Sequence, residues 1–249
     1  METSAICDAP RHRRTDTRRG GYILKRSLDV TFASMVLIGA MPVLAVAALA
    51  IRVSSRGPVL YRAQRVGLAG RPFTMYKLRT MHAARAGAGS VITAKDDPRV
   101  FPLGAWLRRA KIDELPQLFN ILTGQMSIVG PRPEDPDIVA RYYSCADHET
   151  LSVRPGLTSP GTLYSCTCLD DLIQPEDPER FYVQGVLRDK LALDVLYVRR
   201  VSLWYDLSII ARTAWIVLAK TAGKRVFSSP PELLEAGSDT PGRSASPVP

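Results

Sequence analysis

From Val30 to Ile51 the chain runs for 22 residues without a charged side chain. As a helix this stretch would reach about 33 Å, just past a hydrocarbon core of roughly 30 Å. Pro42 lies inside it, with twelve uncharged residues before and nine after. Proline has no N–H to donate, so the helix is expected to kink or break there, and neither half alone can cross a bilayer. Both flanks are basic, Lys25 and Arg26 before the run and Arg52 and Arg56 after it. Positive flanks stay on the cytoplasmic side. A segment over 22–56 that enters, turns at Pro42 and leaves by the same face satisfies both facts; a full span and a buried soluble core are the alternatives. Asp29 falls where the segment meets the interface, within reach of Arg26 three residues back.

Beyond Gly57-Pro58 the pattern changes. Val59–Val66 and Pro72–Thr80, separated by Gly67–Gly70, predict a β-hairpin, with partial alternation at Phe73, Met75 and Leu78. Residues 83–98 are rich in Gly and Ala and predict a loop. Leu103–Ala110 predicts a short helix. Asp113 is placed to cap a further helix, with Pro116 in its first turn and Leu115, Leu118, Phe119 and Leu122 on its apolar face. Gly130-Pro131 ends that segment, Pro136–Tyr143 is helical, and Pro155-Gly156 opens an irregular loop through Cys168. Residues 178–200 predict a helix. Leu203–Leu218 predicts a strongly apolar one, too short to span and suited to an interface or a core. The expected fold class is α+β, with a β-hairpin and several amphipathic helices. It divides into a basic disordered arm (1–21), the membrane segment (22–56), a domain over 57–226 and a disordered tail (227–249).

Composition narrows the function. The chain has 249 residues, is 46% hydrophobic and carries net charge +9, enough for one domain and a bias toward anionic partners. The excess is uneven: residues 1–26 hold seven Arg and Lys against three acids, and the tail from Ser228 holds one against three. The four cysteines and three histidines do not fall at zinc spacing, and the cysteines are expected to be reduced thiols. Aromatic content is 7% and the cations gather around acids, which does not resemble a nucleic-acid surface of basic residues interleaved with aromatics.

The candidate chemistry is concentrated in Arg108–Glu134. Asp113 and Glu114 adjoin the cations Arg108, Arg109 and Lys111, and Arg132 is clamped between Pro131 and Pro133. Adjacent side chains on a helix point about 100° apart, so the two carboxylates would divide labour, one attacking and one holding a cation. Attack on a diphosphate needs its charge neutralised, which accounts for guanidiniums and a divalent ion beside the pair.

These residues also carry a resemblance. Lys25-Arg26-x-x-Asp29, Gly57-Pro58-Val59, Gln64–Gly67, Tyr76–Met81, Leu107-Arg108, DELPQLFN at 113–120, GQMSIVGPRPE at 124–134 and Arg154–Thr158 stand in the order and spacing of the bacterial sugar transferase family. The chain resembles its monotopic phosphoglycosyl transferases over roughly 22–220. The resemblance implies a small monotopic enzyme that moves a sugar 1-phosphate from a UDP-sugar to undecaprenyl phosphate. Its products are polyprenyl diphosphosugar and UMP, and the step initiates exopolysaccharide, O-antigen, capsule or glycoprotein glycan assembly. It implies Asp113 as the nucleophile that forms a covalent phosphosugar, and Glu114 as the Mg²⁺ ligand. Arg108 and the Pro131-Arg132-Pro133 turn would lie at the diphosphate, with Lys77, Arg79 and Glu134 also among the substrate-binding residues. It further implies a re-entrant helix broken at Pro42, the compact form without extra spanning helices, and a catalytic domain on the cytoplasmic face of the inner membrane. Two departures stand out. Met41-Pro42 replaces the usual Ser-Pro, and Ser159-Pro160-Gly161-Thr162 replaces a Gly-x-Ala-Gln run. The competing readings are a non-catalytic basic membrane module and an aspartyl-phosphate hydrolase.

Overall fold

The computed structural model describes residues 16–82, 93, 97–169, 178–224, 227, 230–233 and 235. The first 15 residues of the predicted arm and most of the predicted 83–98 loop and 227–249 tail lie outside the described residues.

Helix α1 (Asp16–Ser54) is a single element of 39 residues. It begins six residues inside the stretch expected to be an unstructured arm. Helical backbone continues through Pro42, so the expected break does not interrupt secondary structure; the proline removes one donor from the ladder. The most apolar 18-residue window within Gly21–Ser54 has mean hydropathy 2.4, and only 11% of it is buried. Both ends of α1 nevertheless dock on the same globular body. Toward the N-terminus, Ala33 joins a core with Leu118, Ile121, Met126 and Val129. Toward the C-terminus, Ala47 and Ile51 join Leu78, Phe101 and Leu107. Between them, no residue from 34 to 46 is buried.

Polar anchors hold each end. The expected Arg26–Asp29 pair does not form. Asp29, buried, instead accepts from Ser127 Oγ at 2.6 Å and the Ile128 N–H at 3.2 Å, while Arg26 donates to the Leu122 carbonyl at 3.1 Å. A buried carboxylate is satisfied by the donors buried beside it, and the half-buried Arg26 is turned instead to a main-chain carbonyl. Lys25 reaches Asp206 at 2.5 Å and the Val129 carbonyl at 3.2 Å.

Strands β1 (Leu60–Val66) and β2 (Pro72–Leu78) form the predicted antiparallel hairpin, with Ala63 opposite Met75 and Tyr61 opposite Lys77. The strand period of two puts Phe73, Met75 and Lys77 on one face. Helices α2 (Pro102–Arg109) and α3 (Gln117–Leu122) follow, joined by a 3₁₀ turn at Ile112–Glu114. Asn120 of α3, fully buried, seals the free edge of β2. Its amide donates to the Thr74 carbonyl at 2.7 Å and accepts from the Tyr76 N–H at 3.1 Å, completing edge groups that would otherwise be orphaned.

The predicted irregular loop from Pro155 instead starts with a strand. β4 (Gly156–Thr158) pairs in parallel with β3 (Ser127–Val129). The flanking glycines make this possible. A Cβ on Gly156 would lie 2.1 Å from the Gly130 nitrogen, and one on Gly130 would lie 2.4 Å from the Arg154 carbonyl oxygen. Two motifs far apart in the chain therefore meet backbone to backbone.

The rest is helical: α4 (Pro136–Tyr142), α5 (Pro160–Tyr164), α6 (Pro178–Phe181), α7 (Leu187–Arg200) and α8 (Leu203–Thr221). α7 is the buried one, with Leu191, Leu193, Leu196 and Tyr197 in the core. α8 buries Asp206 and Ile209 and exposes Trp204, Leu207, Trp215 and Leu218, with Trp204 82% accessible. Part of the predicted disordered tail is docked: Glu232 is buried and pairs with Arg212 of α8 at 2.5 Å. Cys166 is a free thiol, but Cys145 is disulfide-bonded, against the expectation of reduced cysteines throughout.

Asn120→Ala is expected to destabilise the fold by about 1–3 kcal/mol for each edge group it orphans. Thermal unfolding in detergent checks this, and an unchanged midpoint would refute the role given to the amide.

Candidate active site

The turn from α2 into α3 shapes the site. Lys111 adopts a left-handed conformation, φ 57°, unusual for a residue with a Cβ. It lets the chain reverse out of α2 and open the 3₁₀ turn that carries Asp113 and Glu114. The predicted helix cap is therefore not what Asp113 does, since α3 starts later, after Pro116. In a 3₁₀ turn successive side chains diverge by about 120°, and the two carboxylates have different surroundings.

Glu114 is buried and held by two cations. Its Oε1 accepts from Arg132 Nη2 at 2.6 Å and from Lys77 Nζ at 3.2 Å, and its Oε2 lies 3.4 Å from Arg132 Nη1. Arg132 and Lys77 hold the Glu114 carboxyl well below its ordinary range, overcoming the opposing effect of burial. Arg132 is shifted upward in turn, chiefly by Glu114. Glu114 thus stabilises the fold above the ordinary carboxylate range, and that contribution fades as pH falls through its depressed pKa.

Asp113 is equally buried, but its Oδ1 makes no hydrogen bond to any described residue. Burial and the neighbouring Glu114 charge raise its pKa; Lys77, Lys111 and Arg108 pull the other way. The result is a desolvated oxygen facing cations without being tied to them. Arg108 is oriented from behind by Thr80, whose hydroxyl accepts from its Nε at 2.8 Å. Burial lowers the pKa of both Lys77 and Arg108.

The structure therefore brings together Asp113, Glu114, Arg108, Lys77 and Arg132, with Pro131 and Pro133 buried on either side of Arg132. It does not bring Arg79 or Glu134 to the pair. Arg79 is buried against the end of α1, donating to Ser55 Oγ at 3.0 Å, the Ser55 carbonyl at 2.7 Å and the Arg56 carbonyl at 2.9 Å. It caps a helix end, which explains a cation in a strand motif without reference to substrate. Glu134 faces the opposite way from Arg132, into a buried cluster with Lys190 and with Tyr182, whose hydroxyl donates at 2.6 Å. Pro42 lies in the exposed middle of α1, within neither docked end. Sequence reasoning gave no role to Thr80 or Asn120. An Asn inside an apolar helix is the one available hint of the two, because Asn disfavours helix interiors unless its amide is used.

Among the described residues no three or more His, Cys, Asp or Glu side chains gather as a metal cage. Magnesium needs less, since one or two carboxylates plus substrate phosphate suffice. Glu114 Oε2, only weakly engaged by Arg132 at 3.4 Å, is a hard oxygen donor that fits such an ion.

The model of the bacterial sugar transferase family matches residues 20–220. The UDP-glucose:undecaprenyl-phosphate glucose-1-phosphate transferase of Caulobacter vibrioides is 38% identical over 200 residues, covering 76% of this chain and 67% of that protein. The Escherichia coli protein of the same name is 33% identical over 195 residues, 78% of this chain and 40% of its own length. The undecaprenyl-phosphate galactose phosphotransferase of Salmonella typhimurium is 34% identical over 219 residues, 82% of this chain and 42% of its own length. The chain thus spans two thirds of the first relative and about two fifths of the others. With the family model matched over both the long apolar helix and the carboxylate turn, this chain belongs to the bacterial sugar transferase family.

Proposed function

We propose that the protein transfers a sugar 1-phosphate from a UDP-sugar to undecaprenyl phosphate by double displacement at Asp113. The observation that carries this is the buried Asp113 Oδ1, without a hydrogen bond, beside Lys77, Arg108 and Lys111. An oxygen stripped of hydrogen bonds keeps its lone pairs for attack, and the surrounding cations lower the cost of bringing it to an anionic phosphorus.

In the first half-reaction Asp113 Oδ1 forms a bond to the phosphorus that carries the sugar. The bond from that phosphorus to the bridging oxygen breaks, and UMP leaves with the electron pair. Arg132 and Lys77, both held on Glu114, and Arg108, held on Thr80, present N–H donors to the phosphate oxygens as charge moves onto the leaving group. Glu114 would hold magnesium, which when bound would supply further neutralisation of phosphate charge. In the second half-reaction a phosphate oxygen of undecaprenyl phosphate attacks the same phosphorus, releasing Asp113 and giving the polyprenyl diphosphosugar.

The lipid acceptor gives the membrane features a purpose. α1 is docked on one body on either side of an apolar middle that is largely exposed, and basic residues flank the apolar run at both ends. This supports a re-entrant path bent near Pro42, with the catalytic domain on the cytoplasmic face of the inner membrane. The exposed Trp204, Trp215 and Leu218 of α8 suit the interface of that same leaflet.

Purified protein given Mg²⁺ and a panel of UDP-sugars, without lipid, is expected to release UMP in a burst of about one equivalent, with sugar phosphate retained on the protein. Asp113→Asn removes the burst and leaves thermal stability equal or higher, because the raised pKa means the charged carboxylate costs stability. A normal burst in Asp113→Asn would exclude this nucleophile, and free sugar phosphate in place of lipid-linked product on adding undecaprenyl phosphate would favour a hydrolase.

Attack requires ionised Asp113, so burst rate falls as pH drops through its raised pKa. The acid limb of the burst-rate profile is expected above the ordinary aspartate value of about 3.9, and a limb at or below that value would contradict the proposed environment. Single cysteines at Gly21 and Arg56 in inside-out vesicles are both expected to react with an impermeant maleimide, in a background lacking the native cysteines. Labelling of one alone would indicate a full span.

A further inference from the structure

Glu134 closes the arginine motif yet takes no part in the chemistry above. Its carboxylate lies in a buried cluster with side chains from two later stretches of chain. Lys190 of α7, 2% exposed, forms an ion pair with Glu134 Oε1. The Tyr182 hydroxyl donates to the same oxygen at 2.6 Å and accepts from Lys190 Nζ at 3.0 Å. Burial pushes the Glu134 carboxyl upward, but Lys190 and the Tyr182 hydroxyl outweigh it and the net shift is downward. Two opposite charges therefore meet inside the protein.

This cluster is part of a set of contacts that brackets Arg132. Before the arginine, the Gly130 N–H donates to the Thr158 carbonyl and the Gly156 N–H to the Pro131 carbonyl, each at 2.9 Å, which fixes the start of the turn to β4. After it, the Val66 N–H donates to the Glu134 carbonyl at 3.0 Å, and the Glu134 side chain reaches α7. That helix is a firm reference. Its Leu187, Leu191 and Leu193 are buried, and a Cβ on Gly161 of α5 would lie 2.7 Å from the Lys190 carbonyl oxygen, so α5 packs on α7 at Lys190 without slack. Pro131 and Pro133 restrict the backbone on both sides of Arg132. With the chain stiff between its two held ends, the reach of the guanidinium to Glu114 depends on where those ends are fixed. The main-chain contacts survive any side-chain change; the Lys190–Glu134 pair does not.

Resting on the transfer reading above, we propose that Lys190 is a positioning residue: through its ion pair with Glu134 it ties the arginine turn to the core helix α7, and so keeps the Arg132 guanidinium aimed at Glu114 and the diphosphate. This gives Glu134 a role in the motif other than contact with substrate. A buried ion pair contributes little net stability, because the cost of taking both charges out of water offsets their attraction. Stability and positioning then make separable demands. A stabilising pair matters to activity only through folding. A positioning pair matters in folded protein, and only while Arg132 is present to be positioned.

The test measures UMP release from UDP-sugar by the full chain in detergent, with thermal unfolding run on every variant. Lys190→Met removes the ammonium at similar length. In the folded variant kcat/KM is expected to fall about 10- to 100-fold, the order of loss that follows displacement of a functional group by about 1 Å. In an Arg132→Lys background the same change is expected to cost less than about threefold, because the residue it acts through is already altered. Lys190→Met combined with Glu134→Gln leaves no charge of the pair buried alone, so stability is expected to return toward wild type while kcat/KM stays low. Equal losses with and without Arg132→Lys, no loss in folded Lys190→Met, or kcat/KM that recovers along with stability would each overturn the positioning role. If Lys190→Met alone does not fold, the combined variant takes its place in the cycle, and a loss confined to the Arg132 background supports the role. Failure of the combined variant to fold as well would make the cluster a requirement of folding and overturn the proposal. Wild-type protein that releases no UMP overturns the transfer reading itself, whereas turnover with additive variants overturns only the role of Lys190.

Discussion

The structure turns on the ion pair between Glu114 and Arg132, with Lys77 as third member. These residues come from three places: the 3₁₀ turn before α3, the proline-flanked turn after β3, and the inner face of β2. Removing water from any one of the charges alone would be expensive, and only their meeting makes the burial tolerable. The three segments must therefore arrive together. Asn120 fixes α3 to β2, the Gly130–Gly156 contact fixes the arginine turn to β4, and left-handed Lys111 aims the carboxylates. Asp113 benefits without taking part, because it inherits a dry, cationic environment while its own oxygen remains uncommitted.

That division separates two neighbouring carboxylates by environment. Glu114 is driven toward ionisation by direct contact with Arg132 and Lys77. Asp113 is driven the other way by burial and by Glu114 itself. Pairs of titratable groups pushed apart in this manner are a recurrent mark of sites that assign different roles to similar side chains. Docking α1 on the same body as this pair places the pair close to an apolar helix whose middle is largely exposed, which is what chemistry on a lipid-borne phosphate needs.

Much of this was legible from the chain alone, for local reasons. The uncharged run at Val30–Ile51, the hairpin at 59–80 and the helices at 103–110, 136–143 and 203–218 are set by short-range periodicity, turn residues and composition. The Asp113-Glu114 pair and Pro131-Arg132-Pro133 stood out by residue type and by their place in the bacterial sugar transferase motifs. The β3–β4 pairing was not legible, since three residues give too little alternation and the partners lie almost thirty positions apart. Nor was the fate of Arg79 and Glu134, which share motifs with functional residues but face away from them. Whether a charge in a motif meets substrate or a helix end depends on which side of a strand or turn it occupies.

The sequence by itself determined the family, the hairpin and most of the helices, the long apolar segment and the identity of the charged groups, because these follow from residue chemistry and spacing along one dimension. Tertiary structure decided which polar groups satisfy one another: Asp29 leaves Arg26 for Ser127, Glu114 takes Arg132 and Lys77, Glu134 takes Lys190, and Asp113 Oδ1 takes no described residue. Those choices are made by burial. A charge removed from water must find the donors that are buried beside it, and their nearness in space is not recorded in their separation along the chain.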